Sequence, residues 1–373
     1  MPLIDDQLDR LHKKRYFTSL DLASGYYQVP MSADSRAKTA FVSPDGHYEF
    51  TRMPFGLVNA PAVFQRMINT VLGPLRHGTV MAYMDDLLIP TATIDEGLHR
   101  LRNILNGLRD ARLTLHLRKC RFFQERIVYL GYEISASGIT PDTNKLRSVA
   151  DFPVPNNVHE LRRYLGLCSY FRRFVKGFAT IAKPLSALLC KDISWCWTDE
   201  QEKAFQTLKQ RLTEKPTLAL YSPTARTEVH ADASGRGLGG VLLQEQPDGH
   251  LHPVLFISRR MTKDEEKYHS YELEALAVVW TVDKLRPYLL GLEFTVVTDC
   301  NSLRTAFTKK HIVPRIGRWY LRLQEYQFNV EHRRGQKMSH VDALSRTPVS
   351  EAEEMDVVDG VQILATTMPP KIG

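Results

Sequence analysis

The sequence predicts an α/β fold in two halves, and three observations carry that reading. Short apolar runs of strand character end at acidic residues, first in residues 16–91 and again in 228–299. Amphipathic helical stretches alternate with them. A basic helical segment separates the halves, and the texture breaks at Lys215-Pro216 and changes after Ser222-Pro223. A length of 373 residues suggests two or three domains.

Tyr16-Phe17-Thr18-Ser19-Leu20-Asp21 reads as a strand that gives way, at its acid, to a turn containing Gly25. Asp21 there suits a metal-facing strand end, and equally a turn or a helix N-cap. Residues 38–50 read as two short strands joined by Pro44-Asp45-Gly46. Asn59 can cap a helix whose first turn holds Pro61. That helix shows Val63, Phe64, Met67, Ile68, Val71 and Leu72 on one stripe and stops at Gly73-Pro74.

Val80-Met81-Ala82-Tyr83-Met84-Asp85-Asp86-Leu87-Leu88-Ile89-Pro90 sets two adjacent acids inside an apolar run. Asp is a poor strand residue and a good turn residue, so a hairpin turning at Met84-Asp85 is expected. Side-by-side carboxylates are costly to bury unless a cation neutralises them. A divalent metal is the natural partner, and a plain surface turn is the alternative.

Residues 95–112 read as a basic amphipathic helix, and 113–135 return to strand pattern. The pattern from Val158 to about Leu189 is helical, with Arg162, Arg163, Arg172 and Arg173 among interleaved aromatics. The aromatics suit the helix core, and the arginines suit phosphate contacts. A further helix covers about 198–212. Beyond the break, strands are expected at 228–234, 237–244, 253–257, 294–299 and 327–332, with helices at 270–289 and 315–325. Asp342 opens a last short helix, and the acidic, Pro-rich tail 347–373 is expected to be disordered.

Net charge is +7. Between Arg100 and Lys215 there are 21 Lys/Arg against 11 Asp/Glu, so the middle of the chain carries the excess. A basic segment flanked by acidic clusters suits a polyanion held along one surface. No apolar run approaches the ~18 residues of a membrane span, and the N-terminus does not read as a signal peptide. The five cysteines (Cys120, Cys168, Cys190, Cys196, Cys300) are odd in number and widely spaced. They point to reduced thiols in an intracellular compartment, with no disulfide framework and no cysteine zinc site.

Two acidic sets emerge: Asp21, Asp85 and Asp86, then Asp232, Glu274, Asp299 and Asp342. Acids scattered over strand ends and helices can converge only at one edge of a folded layer. Carboxylates without His or Cys suit magnesium. Two such ions about 4 Å apart suit phosphodiester chemistry.

On these motifs the chain resembles the Pol region of gypsy-type long-terminal-repeat retrotransposons, a reverse transcriptase joined to RNase H. Phe17–Gln28 resembles the first catalytic motif, Met53–Pro61 with Phe64-Gln65 the template-and-nucleotide motif, and Tyr83-Met84-Asp85-Asp86 the polymerase signature. Glu331-His332-Arg333-Arg334-Gly335 through Asp342-Ala343-Leu344-Ser345-Arg346 is characteristic of the gypsy type.

The resemblance implies a palm-type α+β polymerase over 1–140 with truncated fingers, and a helical thumb or connecting region over 141–215. An RNase H-like α/β domain with a five-stranded mixed sheet would cover 216–346. It implies that Asp21, Asp85 and Asp86 hold two Mg2+ ions, with Mn2+ an alternative. Tyr26 matches a steric gate against the ribose 2′-OH, and Lys119 the residue that protonates the pyrophosphate leaving group. Phe55 and Gln65 fall in the nucleotide motif, and Tyr129-Leu130-Gly131-Tyr132 matches the primer grip. Asp232, Glu274, Asp299 and Asp342 match the four RNase H acids, with Glu274 preferred to Glu272 on register, and His332 matches a mobile histidine. RNA template, DNA primer, RNA/DNA hybrid and deoxynucleoside triphosphates are the implied partners, in a cytoplasmic particle or the nucleus.

The family's reverse transcriptase has a longer segment before the Pro-Leu-Ile at residues 2–4, carrying most of the fingers. The chain therefore reads as a fragment of a larger polyprotein or a truncated copy. The alternatives are an element whose RNase H alone is active, and a catalytically weak nucleic-acid-binding remnant. Met338 and Val341 depart from the family pattern, which has Asn and Ala there.

Overall fold

A computed structural model describes the chain except residues 192, 215, 235–236, 302, 304–313 and 334–373. The expected Asp342 helix, Met338, Val341 and the tail lie outside the described residues. The chain divides into two compact units, Met1–Ser137 and a second beginning at Gly138.

The first unit opens with the short helix α1 (Ile4–Leu8) and the strand β1 (Tyr16–Asp21). After α2 (Ala33–Arg36), β2 (Phe41–Ser43) and β3 (Gly46–Tyr48) pair across a two-residue Pro44-Asp45 turn, with Ser43 opposite Gly46. The helix α3 (Ala60–Leu72) follows. Asn59 stands at its N-cap, but its side chain makes no capping bond, because its backbone is already helical (φ −88°, ψ −6°). Pro61 sits in the first turn as expected, and Gly73 ends the helix at φ 48°.

Next come β4 (Met81–Tyr83), β5 (Asp86–Thr91) and α4 (Ile94–Asp110). Thr93 caps α4, and Asp95 and Glu96 occupy its first turn, where the helix dipole favours acids. The strands β6 (Arg121–Gln124), β7 (Arg126–Tyr129) and β8 (Tyr132–Ser135) complete the unit. The antiparallel sheet runs β4-β5-β1-β6. Phe64, Ile68 and Leu72 of α3 pack with Leu20, Ala82, Leu87, Ile89, Ile104 and Leu108 in one core. That core fixes α3 beneath the β4–β5 hairpin.

The second unit begins with β9 (Gly138–Pro141) and the helices α5 (Thr143–Ala150), α6 (Val158–Ser169), α7 (Phe178–Ala187) and α8 (Asp199–Thr213). The helical stretch expected over 158–189 is broken by a tight turn at Arg172–Phe174 and by left-handed Gly177 (φ 66°). Its aromatics are core, as expected: Tyr164 and Phe171 are fully buried, and the Tyr164 hydroxyl donates to the Phe205 carbonyl at 3.1 Å.

The RNase H-like part is a five-stranded mixed sheet. It contains β10 (Thr227–Ser234), β11 (Gly237–Glu245), β12 (Leu251–Arg260), β13 (Glu293–Thr298) and β14 (Gln327–His332). Its order is β12-β11-β10-β13-β14, antiparallel up to β10 and parallel from β10 to β14. Among the described residues, the helices α9 (Ser270–Lys284), α10 (Arg286–Leu289) and α11 (Pro314–Leu323) accompany it. Val229 and Ala231 of β10 share a core with Ala275, Val278 and Val282 of α9. Gly240 lets α9 approach this closely, since an added Cβ would lie 2.5 Å from the Thr281 methyl.

Candidate active sites

The first site is built by two strand ends and one turn. Asp21 ends β1 and is the register partner of Asp86, which begins β5. Tyr83 pairs with Asp86, so Met84 and Asp85 form a two-residue turn, as the sequence predicts. Met84 takes a left-handed backbone (φ 52°) to make it. The Leu22 amide donates to the Asp85 carbonyl at 3.1 Å and ties the turn to the end of β1.

Gln65, on α3, holds the turn from behind. Its Oε1 accepts the Met84 amide at 2.7 Å, and its Nε2 donates to the Ala82 carbonyl at 3.1 Å. It is 5% exposed. The sequence reading set Gln65 against the nucleotide, but the structure spends its amide on the hairpin backbone.

The Asp85 carboxyl turns inward, and a Cβ added at Gly25 would lie 2.4 Å from its Oδ1. That oxygen is buried without a hydrogen-bond partner. Burial raises the Asp85 carboxyl to about 6; Asp86 and Asp21 add to the rise, and Lys119 opposes it. Asp86 opens to solvent, yet its carboxyl is also raised, by the surrounding protein mass first and then by Asp21. Lys119 Nζ lies 3.4 Å from Asp21 Oδ2, on a side chain that is 62% exposed. An unpartnered buried carboxylate oxygen beside two more acids fits a divalent cation, which supplies the missing partner.

Tyr26 follows in the turn after β1. Its hydroxyl lies 3.7 Å from the Met84 sulfur, and its ring packs 5.0 Å from Phe55 and 5.6 Å from Phe64. Phe55 itself is exposed. Tyr129 and Tyr132 are register partners around the Leu130-Gly131 turn, and both turn residues have positive φ. Both tyrosines are only 3% exposed. Set by sequence against a primer, they instead carry the turn, with Leu130 and Gly131 half-buried between them.

The second site is tighter. Ligand oxygens of Asp232, Glu274 and Asp299 all lie within 4.8 Å of one another. No other three His, Cys, Asp or Glu side chains among the described residues meet that spacing. Asp232 lies near the end of β10, Glu274 in the first turns of α9, and Asp299 directly after β13. Glu272 is engaged elsewhere: it accepts the His269 amide at 3.3 Å and Arg315 at 3.2 Å. Three converging carboxylates are an oxygen-only donor set that fits a hard divalent ion. Asp342 lies outside the described residues. His332 ends β14 opposite Thr298, the residue before Asp299.

The four arginines divide. Arg162 and Arg163 of α6 are exposed. Arg172 and Arg173 are partly buried, and Arg172 donates to the Ser258 carbonyl of β12 at 3.4 Å. That contact joins the helices to the RNase H-like sheet.

Sequence reasoning also missed a buried polar group on β10. Glu228 is fully buried and His230 nearly so, with His230 Nε2 2.8 Å from Glu228 Oε2. Arg333 forks onto Glu228 at 2.6 and 3.0 Å. The available signal was the polar alternation Glu228, His230, Asp232 along an otherwise apolar strand.

Together, the antiparallel palm with paired strand-end acids and the mixed sheet with a three-carboxylate edge define the class: a reverse transcriptase followed by an RNase H-like domain. Residues 1–134 match the family model for reverse transcriptase (RNA-dependent DNA polymerase), and residues 197–296 match the RNase H-like domain found in reverse transcriptase. The curated proteins the chain matches are Pol polyproteins of long-terminal-repeat retrotransposons, consistent with a gypsy-type Pol fragment.

It is 38% identical over 94% of its length to the retrovirus-related Pol polyprotein from transposon 297 of Drosophila melanogaster, covering 33% of that protein. It is 34% identical over 93% of its length to the Tf2-3 transposon polyprotein of Schizosaccharomyces pombe, covering 26% of it. The chain thus spans about a third of the length of the curated relatives it matches. The fold is also that of a foamy viral protease-reverse transcriptase in complex with double-stranded DNA (TM-score 0.77, 23% identity, 89% of this chain, 60% of that one). The same viral protein in complex with RNA/DNA hybrid gives a TM-score of 0.70 at 22% identity, over 98% of this chain and 48% of that one. No described helix is long and apolar enough to cross a membrane.

Proposed function

We propose that the chain is an RNA-directed DNA polymerase with ribonuclease H activity, copying RNA into DNA and cutting the RNA strand of the hybrid. The convergence of Asp232, Glu274 and Asp299 within 4.8 Å carries the nuclease half most directly. The strand-end pairing of Asp21 with Asp86, beside the Asp85 turn, supports the polymerase half. We assign residues 1–140 to the palm, 141–215 to a thumb or connecting region, and 216–346 to RNase H.

Two Mg2+ ions per site, or Mn2+ in their place, would supply charge stabilisation for the attacking and leaving oxygens of a phosphodiester exchange. Asp21, Asp85 and Asp86 would hold them in the polymerase, and Asp232, Glu274, Asp299 and Asp342 in the nuclease. Lys119, its Nζ 3.4 Å from Asp21, is placed to give a proton to departing pyrophosphate. Tyr26, its ring backed by Phe55 and Phe64, is a rigid wall for a deoxyribose with no room for a 2′-OH. Phe55 and the Leu130-Gly131 turn offer surface to nucleotide and primer, while Gln65, Tyr129 and Tyr132 act as supports. Exposed Arg162 and Arg163 contact the phosphate backbone of template, primer or hybrid. His332, at the edge beside Thr298, assists product departure. Five free thiols and these substrates favour an intracellular particle or the nucleus.

The test is purified chain with a labelled RNA/DNA hybrid and, separately, a primed RNA template with deoxynucleoside triphosphates. Magnesium-dependent RNA cleavage and primer extension, both stopped by EDTA, are expected. Cleavage without extension would restrict the assignment to a nuclease. Neither activity, with salt-sensitive binding retained, would reduce it to a nucleic-acid-binding remnant.

A further inference from the structure

The buried Glu228–Arg333 fork lies outside both carboxylate sites, yet it is wired to the second. Alternation along β10 puts Glu228, His230 and Asp232 on one face, with Val229 and Ala231 on the other against α9. Arg333 directly follows β14, and its guanidinium spans β13 to reach Glu228 on β10. Its backbone amide donates to the Thr298 carbonyl at 3.0 Å, one residue before Asp299. Two further bonds, each 3.0 Å, bind it to Glu331 of β14. One arginine therefore fastens the start of β10, four residues before Asp232, to the ends of β13 and β14 beside Asp299.

We propose that Arg333 and Glu228 are positioning residues of the Asp232–Glu274–Asp299 centre, holding β10 in place against the ends of β13 and β14 so that its carboxylates converge on a divalent ion. The inference rests on the nuclease reading above for what the ion does, but not for whether it binds. The fork is suited to the task. A bidentate guanidinium–carboxylate pair fixes orientation as well as distance, and both oxygens of a fully buried glutamate are engaged. Arg226, the residue before β10, also reaches Glu228 Oε1, at 2.9 Å, but from a side chain 61% exposed. Its other ion pair, at 3.6 Å, is with Glu245 at the end of β11, away from β13 and β14, which makes it the control. Groups that orient metal ligands typically change metal affinity or activity 10–100-fold when removed.

The experiment uses the full chain carrying Asp85→Asn and Asp86→Asn, so that Mn2+ affinity reports the C-terminal centre. Into it go Arg333→Lys, the double exchange Glu228→Gln with Arg333→Gln, and Arg226→Ala. The double exchange removes both charges together and leaves no unpaired buried ion. Arg333→Lys keeps the charge and loses the fork. Mn2+ affinity, read by electron paramagnetic resonance on protein shown folded by circular dichroism, should fall about 10–100-fold in the double exchange. Arg333→Lys should show a smaller loss, and Arg226→Ala none. Hybrid cleavage should lose kcat in the same order, with KM for the hybrid kept within about twofold. Unchanged Mn2+ affinity in the folded double exchange overturns the proposal. Should the parent bind Mn2+ and cut no hybrid, the nuclease reading fails, while the affinity comparison still decides the role of the fork.

Discussion

Asp21 and Asp86 are register partners at the adjoining ends of β1 and β5. Directly opposed residues in an antiparallel pair hold their Cβ atoms about 4.5–5.5 Å apart, and like charges there destabilise a sheet. The backbone ladder itself brings these carboxylates together. A bound cation would offset that repulsion, with Asp85, at the adjacent turn, as the third carboxyl.

Gly25 decides whether Asp85 can take its place. An added Cβ would meet Asp85 Oδ1 at 2.4 Å and the Phe64 ring at 2.9 Å. Gly25→Ala should therefore displace the Asp85 carboxyl and slow primer extension about 100-fold or more, the scale of a 1 Å misplacement. Steady-state extension on a primed RNA template checks this, with hybrid cleavage expected to be unchanged.

Gln65 is a structural clamp on the catalytic turn. Gln65→Ala leaves the Met84 amide and the Ala82 carbonyl without their partner, at a cost of about 1–3 kcal/mol. Urea unfolding should show that loss, and primer extension should fall with it. A variant as stable as the parent would show that the turn holds itself.

Glu228 sets an acid limit for the second unit. Burial pushes its carboxyl up, but bonds from His230 and Arg333 outweigh that and hold it at about 2. The unfolded value is near 4.5, so the folded state binds this proton less readily. The resulting stability, about 3 kcal/mol, is fully present above pH 4.5 and drains as pH falls toward 2. Unfolding free energies measured between pH 6 and pH 3 should fall in the parent. They should fall less steeply when Glu228→Gln and Arg333→Gln are combined.

Much of this was legible in the sequence for physical reasons. Asp85 and Asp86 interrupt an apolar run; the hairpin turns at Met84-Asp85, and Asp86 opens β5. Asp232 and Asp299 close strands, and a mixed sheet brings strand ends to one edge. The family register favours Glu274 over Glu272, and in the structure Glu272 is taken up in capping α9. Other features depended on tertiary context. Tyr129 and Tyr132 flank a turn, and nothing local says that their rings turn inward. Arg172 differs from Arg162 only in what packs beside it. Asn59 sits at a helix start, but its backbone conformation leaves it no capping role. The Glu228–Arg333 fork joins residues 105 apart, beyond any local pattern.

A crossed pair of variants distinguishes two independent metal-dependent carboxylate centres in one chain from a single shared one. Primer extension and hybrid cleavage are measured on the same preparations of parent, Asp85→Asn and Asp299→Asn. Asp85→Asn should lose extension by about 1,000-fold or more, the scale of losing several kcal/mol of transition-state charge stabilisation, and keep cleavage. Asp299→Asn should do the reverse. Loss of both activities in either variant, or of neither, would contradict the account.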